Sequence, residues 1–246
     1  MIERLFEKAG IAISDSLVAN SESIKVELAK LGNTKKDIQI LYNNINELNI
    51  DKAEQRKWVL KEFELQEDSF LVVTTGLLIP RKNLHCFLKA VAKVESNKVV
   101  LILIGQGPLL HSLQVLAKQL ELKEKIIFTG WREDVLDFLP GCDLFVFPSH
   151  LEGLSNSILE AMACGLPCLV SDISENREII SRPEQRFPVN QAETLTAMIN
   201  GVLHSNEKLE IFRNSTVADR KRFIFNWEEK IIKKAEEVIK RSPKAH

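Results

Sequence analysis

The chain of 246 residues lacks several features that would place it in a specialised class of protein. No apolar run approaches the roughly 20 residues that a membrane-spanning helix needs. Acidic residues interrupt the opening MIERLFEKAG too early for a signal peptide. The net charge is only −1, so bulk electrostatics gives no reason to expect a nucleic-acid partner. We therefore expect a soluble, cytoplasmic protein.

Sequence signals for metal, disulfide and common nucleotide sites are also missing. The four cysteines lie in apolar surroundings without C-x-x-C spacing, which favours buried free thiols in a reducing compartment. Neither a G-x-G-x-x-G fingerprint nor a P-loop is present, which disfavours a dinucleotide-binding oxidoreductase. Two short basic clusters, at 219–223 and 230–234, are interpreted as solvated helix faces, with a peripheral membrane contact as the alternative.

The sequence does contain a regular alternation of short apolar runs and amphipathic stretches. Runs without polar alternation are typical of strands covered on both faces. The strand candidates are 69–75, 98–104, 125–129, 142–148, 167–171 and the weaker 186–189. Helical patterns lie between them at about 83–95, 108–120, 133–139, 156–164, 175–181 and 193–204. Such crossovers indicate a parallel sheet, so 65–205 is predicted to form a doubly wound, Rossmann-like α/β domain.

The first 40 residues have a different pattern. The stretch 10–21 predicts a strand that runs into a helix capped by Asn20 or Ser21, and IQILYNNIN predicts a second strand. These elements are too few to form a domain and resemble the end of a larger one. The predicted organisation is a remnant and hinge over 1–40, a ligand-binding domain over 41–225, and a C-terminal helix and tail over 226–246.

Ligands of open parallel sheets bind beyond the carboxyl ends of the strands, where this chain carries cations and glycines. Arg81 and Lys82 follow the first strand, where a helix begins, which is a favourable position for phosphate; a pair of surface cations is the alternative. Gly105 and Gly107 follow the second strand and would let the backbone approach a ligand closely.

The third strand is followed by GWREDV. Trp131 offers a flat surface and Arg132 a planar fork, either of which could meet a nucleobase. Packing within the protein is the alternative for a lone tryptophan.

The fourth strand leads into HLEGLSNSILEAMACG, which contains two glutamates. Gly153 permits a tight turn, and the amides of 153–156 could face an anion ahead of the helix. Glu152 would then accept hydrogen bonds from hydroxyls, because a bare carboxylate repels phosphate. Glu160 has two interpretations that stay open: a ligand for hydroxyls, or the acidic end of a capping box formed by SILE at 157–160. A glycosidase pair is disfavoured because phosphate-binding features would serve no purpose there.

These motifs together resemble a known family. EGLSNSILEAMACGLP resembles the E-x7-E signature of the family 4 retaining glycosyltransferases, which have the GT-B fold. GLLIPRKN resembles their phosphate loop, IGQGPL their GxGP turn and FTGWREDV the strand and loop that follow. The motifs occur in the family's order and cover nearly the whole chain.

The resemblance implies the donor-binding domain of such an enzyme, with a nucleotide-diphospho-sugar as substrate and no metal or other cofactor. Lys82 and Arg81 would neutralise the diphosphate, Glu160 would hold the ribose hydroxyls, and Glu152 would contact the transferred sugar. The remaining predicted binding residues are Gly153, Leu154 and Ser155 beside sugar and phosphate, Arg132 at the base, and Gly105 and Gly107.

Two departures from the family pattern limit this prediction. Leu77 stands where many members have arginine, and the Arg81–Lys82 pair is expected to compensate. The chain also has room for only the last elements of an acceptor domain, so the acceptor, a carbohydrate or a lipid-linked one, would meet a missing half or a partner chain. The predicted pathway is cell-envelope polysaccharide or lipopolysaccharide synthesis. The alternatives are a non-catalytic nucleotide-sugar-binding subunit and a GT-B epimerase.

Overall fold

The computed structural model describes residues 10–11, 14, 16–32, 36–48, 50–122 and 125–241, without the side chains of 239–241. Most of the N-terminal segment, parts of the predicted strand at 10–21, and the tail after 241 lie outside the described residues. No described helix is both long and apolar enough to cross a membrane.

Eight strands and ten helices can be delimited in the described part of the chain. The strands are β1 (Leu17–Ala19), β2 (Ile38–Ile40), β3 (Phe70–Thr75), β4 (Val99–Ile104), β5 (Ile126–Gly130), β6 (Leu144–Phe147), β7 (Cys168–Ser171) and β8 (Arg186–Phe187). The helices are α1 (Glu22–Gly32), α2 (Lys52–Glu62), α3 (Leu84–Ala92), α4 (Leu110–Gln119), α5 (Val135–Phe138), α6 (Asn156–Ala163), α7 (Ser174–Ile179), α8 (Ala192–Leu203), α9 (Asn206–Arg220) and α10 (Trp227–Arg241).

Six of the strands form one parallel sheet in the order β5-β4-β3-β6-β7-β8. The chain builds outward from β3 to β5, returns to the other side of β3, and builds outward again from β6 to β8. The predicted doubly wound parallel sheet is therefore confirmed. The order reverses between β3 and β6, and this reversal is where open α/β sheets bind their ligands.

Both faces of this sheet are covered by apolar side chains. Val72 of β3 belongs to a core shared with α3 and α8, whereas its neighbours Leu71 and Val73 belong to a core shared with α5 and α6. Alternate residues of one strand are thus buried on opposite faces. This arrangement explains why the strand sequences are apolar throughout rather than alternating.

The N-terminal elements form a separate parallel pair, in which Leu17 of β1 is aligned with Ile38 of β2. Ser21 caps α1, since its Oγ accepts a hydrogen bond from the amide of Ile24 at 3.1 Å, which confirms one of the two predicted caps. The carboxylate of Glu178 in α7 also accepts hydrogen bonds from the amides of Glu22 and Ser23. These bonds attach α1 to the domain of the large sheet.

Helix α2 is an element that the apolar pattern does not predict. Val59 is its one fully buried side chain, so the helix has no wide apolar face. Asp51 nevertheless gives it a clear start, because its side chain accepts hydrogen bonds from the amides of Ala53 and Glu54. The sequence signal was Asp51 followed three residues later by Glu54, a pattern typical of helix N-termini.

Candidate functional site

The loops that follow β3 and β6 meet at the reversal of strand order. The amide of His150 donates to the carbonyl oxygen of Arg81 at 2.9 Å, so the two loops are joined by their backbones. A cleft of about 470 Å³ lies beyond the carboxyl ends of β3, β4 and β5. Its walls include Thr75, Gly76 and Glu160. The sheet thus places residues from four distant segments around one cavity.

A buried ion pair joins the two loops. Lys82 Nζ lies 2.9 Å from Glu152 Oε1, and Arg81 Nη1 lies 3.3 Å from Glu152 Oε2. The side chains of Lys82 and Glu152 are only 11% and 7% exposed, whereas Arg81 is 43% exposed. Burial lowers the pKa of Lys82, and Glu152 opposes that shift by stabilising the charged ammonium. Lys82 is therefore no ordinary surface cation.

The local backbone turns Lys82 toward the site. Pro80–Lys82 form a single 3₁₀ turn, and Asn83 then adopts the left-handed region, with φ 53°, before α3 begins. A Cβ on Gly76 would lie 3.4 Å from Lys82 Cε, so the lysine side chain runs back along the end of β3. The ammonium also lies 4.4 Å from the centre of the Phe147 ring. The predicted position of the cations, just ahead of a helix, is confirmed.

Glu160 is in the opposite situation to Glu152. It lies half-buried on α6, and no hydrogen bond or ion pair within the described residues reaches its carboxylate. Burial raises the pKa of Glu160, and no cation opposes that shift. The capping-box interpretation is wrong, because α6 begins at Asn156 with Ser155 as its N-cap. The third helical position, which a capping box uses, is therefore Ile158, and Glu160 lies two residues further into the helix.

The residues between the two glutamates divide into core and loop. Leu154 and Ser155 are buried, and Leu154 belongs to the core beneath α6. Gly153 does not need to be glycine, since its φ lies outside the left-handed region and a Cβ would make only an ordinary contact, 3.8 Å from Asn20. The backbone does bend at 153–154, but this bend does not depend on glycine. The amides of 153–156 remain predicted anion ligands.

Gly105 and Gly107 do permit a close approach, but to a neighbouring loop. Both have positive φ, and a Cβ on Gly105 would lie 1.9 Å from the carbonyl oxygen of Gly76. A Cβ on Gly107 would lie 2.6 Å from the carbonyl oxygen of Leu78. A hydrogen bond from the Leu78 amide to the carbonyl oxygen of Gln106 joins the two loops. Gly105 and Gly76 both line the cleft, so their close approach forms its floor.

Arg132 lines the cleft on the loop after β5, and its guanidinium is already bonded to two carboxylates. Its Nε and Nη2 donate to the two carboxylate oxygens of Asp134 at 2.8 and 2.7 Å, and Nη1 and Nη2 donate to Glu62. The guanidinium also lies over the rings of Trp58 and Phe138. Arg132 thus anchors its loop to α2, and its contact with a base stays a prediction.

Trp131 differs from its neighbour, because its side chain is 63% exposed. It lines the cleft rather than the core. Packing inside the protein therefore does not account for this tryptophan. An anchored loop that presents an exposed indole is a suitable stacking surface for a flat ligand.

A comparison with protein families matches residues 55–218 to Glycosyl transferases group 1. The match covers more than half of the chain, including both loops of the ion pair and the whole large sheet. The chain belongs to this family.

Individual relatives agree with that assignment. The chain is 30% identical over 159 residues to an Escherichia coli UDP-Gal:alpha-D-GlcNAc-diphosphoundecaprenol alpha-1,3-galactosyltransferase, which covers 63% of this chain and 40% of the relative. It is 28% identical over 206 residues to N-acetyl-alpha-D-glucosaminyl L-malate synthase of Bacillus anthracis, covering 83% of this chain and 54% of the relative. The chain thus spans about half the length of these relatives.

A solved structure shows the same fold. Anabaena Alr3699/HepE, crystallised with UDP and glucose, superposes with a TM-score of 0.83 at 18% identity, covering 97% of this chain and 67% of the other. The GT-B assignment of the fold is therefore confirmed for this glycosyltransferase family member. In the described part of the chain, no group of three or more His, Cys, Asp or Glu side chains is placed to hold a metal ion.

Three residues beside Glu160 in this member of the glycosyltransferase family were not anticipated from its sequence. Asn43, Asn44 and Trp227 border a second groove that also contains Glu160. The Asn-rich turn after β2 was visible in the sequence, but nothing in a linear pattern shows that it lies beside α6. The signal is tertiary, since residues more than 100 positions apart form this groove.

Proposed function

We propose that this chain binds a UDP-sugar and provides the donor site for transfer of its glycosyl group, with retained anomeric configuration and without a metal ion. The acceptor would be a carbohydrate or a lipid-linked carbohydrate used in building the cell envelope, and the transferred group a hexosyl unit. The chain would act in the cytoplasm or at its membrane surface.

One observation carries this proposal: the cleft beyond the strand ends contains the partner-free carboxylate of Glu160, and the buried Lys82, with the partly exposed Arg81 beside it, lies against the cleft wall at Gly76. Lys82 and Arg81 supply the positive charge that a diphosphate requires. Glu160 supplies acceptors for the vicinal hydroxyls of a ribose, and its lack of a partner leaves it free to do so. A cleft that offered only cations would suit any phosphate. The Glu160 carboxylate, which can accept hydrogen bonds from ribose hydroxyls, favours a nucleotide.

The same arrangement suits the departure of a nucleoside diphosphate. As the glycosidic bond to phosphate breaks, negative charge grows on the phosphate oxygen and positive charge on the sugar ring. Lys82 is held in place before the reaction and would stabilise the growing negative charge without a large reorganisation. Glu152 touches both cations and would meet the hydroxyls of the transferred sugar. Its carboxylate would also keep Lys82 protonated when no ligand is bound.

The relatives support the choice of nucleotide and pathway. The Escherichia coli relative acts with UDP-Gal on a diphosphoundecaprenol-linked sugar, and a 29% identical Rhizobium meliloti relative is a lipopolysaccharide core biosynthesis glycosyltransferase. The similar Anabaena structure contains UDP. These names describe those proteins, and they make UDP and the cell envelope the first possibilities to test here.

A second candidate function is that of a non-catalytic nucleotide-sugar-binding subunit. The two candidates differ in products: a subunit binds UDP-sugar and leaves it intact, whereas release of UDP to an added acceptor indicates transferase activity. An epimerase would change the sugar of bound UDP-sugar without any acceptor.

The direct test is calorimetric titration of the purified chain with UDP, GDP and ADP in the presence of EDTA. We expect saturable binding of UDP, lost in both Lys82→Ala and Glu160→Ala. Binding that required a divalent ion would refute metal independence, and a folded protein that bound none of the nucleotides would refute the donor site. Thermal unfolding of each variant serves as the control for folding.

A further inference from the structure

Glu160 also borders a second groove, which the proposed function does not use. This groove encloses about 490 Å³ and is formed by the loop after β2, the start of α6 and the start of α10. Among the described residues, Glu160 is the one side chain that lines both this groove and the donor cleft. Glu160 therefore forms part of the wall between them.

The walls of the groove are fixed by hydrogen bonds between distant segments. Asn43 Nδ2 donates to Asn156 Oδ1 at 2.6 Å, and Asn44 Nδ2 donates to the carbonyl oxygen of Phe225 at 3.3 Å. The amide of Ile45 donates to the carbonyl oxygen of Phe223 at 2.9 Å. The loop after β2 is thus held against both α6 and the segment before α10. A groove held in this way is preformed, which lowers the entropic cost of binding.

The groups left over in this groove are suited to hydroxyls. Within the described residues, the amide oxygens of Asn43 and Asn44 and the amide nitrogen of Asn156 have no hydrogen-bond partner. With the Glu160 carboxylate they provide both acceptors and donors at one edge. Trp227, 39% exposed, provides a flat apolar surface at the same groove.

We propose that this groove binds a carbohydrate ring other than the ribose and the transferred sugar of the donor. A sugar ring has hydroxyls at its edge for the amides and C–H groups on its faces for the indole. The described lining contains one carboxylate and no cation, so it disfavours phosphate and other anions. The proposal rests on the proposed function only for the adjacent cleft being the donor site.

The shared wall makes a further outcome measurable. A ribose that occupies Glu160 from the donor cleft would fix the carboxylate for the ring in the groove. UDP should therefore strengthen carbohydrate binding, and the carbohydrate should strengthen UDP binding by the same factor. We expect this factor to be about fivefold, at the low end of couplings between protein sites.

The experiment uses the ¹⁵N-labelled chain and the methyl α-glycosides of glucose, galactose and N-acetylglucosamine, with and without saturating UDP. We expect at least one glycoside to produce saturable shifts of the side-chain amides of Asn43, Asn44 and Asn156 and of the Trp227 indole N–H. Trp227→Ala should weaken that binding about fivefold, and Trp227→Phe should restore part of it. Val115→Ala, which removes an exposed apolar side chain that lines neither cavity, is the control and should leave it unchanged.

The outcomes separate the two proposals. Glycoside binding at the groove in a protein that does not bind UDP would support the groove and refute the donor site. UDP binding without saturable shifts in the groove for any glycoside would overturn the groove proposal. Equal losses of glycoside binding in Val115→Ala and Trp227→Ala would also overturn it, because the loss would then not depend on the groove. Should Trp227→Ala unfold, Trp227→Phe and the wild-type shifts still decide the matter.

Discussion

Glu152 and Glu160 are eight residues apart, yet the fold gives them opposite electrostatic surroundings. Glu152 is buried against Lys82 and Arg81, so its charge is already compensated within the protein. Glu160 is half-buried, and its raised pKa reflects a charge that burial penalises. Glu152 therefore stabilises the folded state through its ion pairs, whereas the charge of Glu160 destabilises it. A carboxylate retained without a partner indicates a ligand, and this contrast can be tested.

The largest effect is expected from breaking the compensated pair. Glu152→Gln would leave Lys82 buried without its carboxylate, and we expect a loss of about 3 kcal/mol in the free energy of unfolding. Denaturation in urea measures this loss. Adding Lys82→Met should recover most of it, because the unpaired cation is then gone. Equal stability of Glu152→Gln and wild type would show that the pair contributes nothing and that the contrast is unfounded.

The next effect concerns Glu160, whose substitution should lower ligand affinity but raise stability. Glu160→Gln should reduce the affinity for UDP by roughly 10- to 100-fold, since hydrogen bonds to a charged group are lost. Its midpoint of thermal unfolding should rise by about 2 °C, because a penalised charge is removed. Calorimetric titration and thermal unfolding measure the two quantities. Glu184→Gln, an exposed carboxylate on the turn before β8, is the control.

The pH dependence sharpens the same contrast. Because the pKa of Glu160 is raised, the group takes up its proton at a higher pH than an ordinary glutamate, and UDP affinity should fall as pH falls through that pKa. The stability contribution has the opposite sign: a raised pKa means that the folded state holds the proton more tightly, so the cost of the charge disappears as pH falls. On the alkaline side, Lys82 should lose its proton at a lower pH than an ordinary lysine, because its pKa is lowered. UDP binding should weaken as that charge is lost.

Titrations of UDP across pH test this expectation. The phosphates of UDP titrate equally with both proteins, so the difference between wild type and Glu160→Gln isolates the side chain. We expect that difference to shrink on the acid side. A constant difference across the range would show that the titration of Glu160 does not govern binding.

The smallest effect is expected at the end of the cleft where Arg132 lies. Glu62→Gln leaves Arg132 with Asp134, and we expect a loss of about 1 kcal/mol in stability and about a twofold change in UDP affinity. Urea denaturation and calorimetry measure the two. A large loss of affinity without a loss of stability would instead indicate that Arg132 contacts the base directly.

Much of the fold follows from local sequence. The strands of the large sheet lie within or one residue beyond their predicted ranges, because strands buried on both faces have uninterrupted apolar sequences. Helix α2 was not predicted, because it fully buries only one side chain and so lacks an apolar pattern, and it is stabilised by its cap. The start of α6 at Asn156 agrees with the predicted helical range, but the residue that caps it was misassigned because Ser155 and Ser157 are both suitable caps.

The site was only partly predictable. Strand ends showed where Lys82, Glu152 and Glu160 would lie, because parallel strands bring their carboxyl ends to one edge. Which carboxylate would be paired, and that Glu62 would engage Arg132, depended on contacts between residues about 70 positions apart. Such contacts have no local signature.

The close approach of the loops at Gly76 and Gly105 has a consequence for redesign and for the divergence of related donor-binding domains. No side chain fits at Gly105 without displacing the backbone at Gly76, so a change on one loop must be matched by a change on the other. Trp131 is exposed and carries no such constraint. Libraries that vary the rim around Trp131 should therefore yield altered nucleotide preference in single steps, whereas variation at the floor should yield mostly unfolded chains.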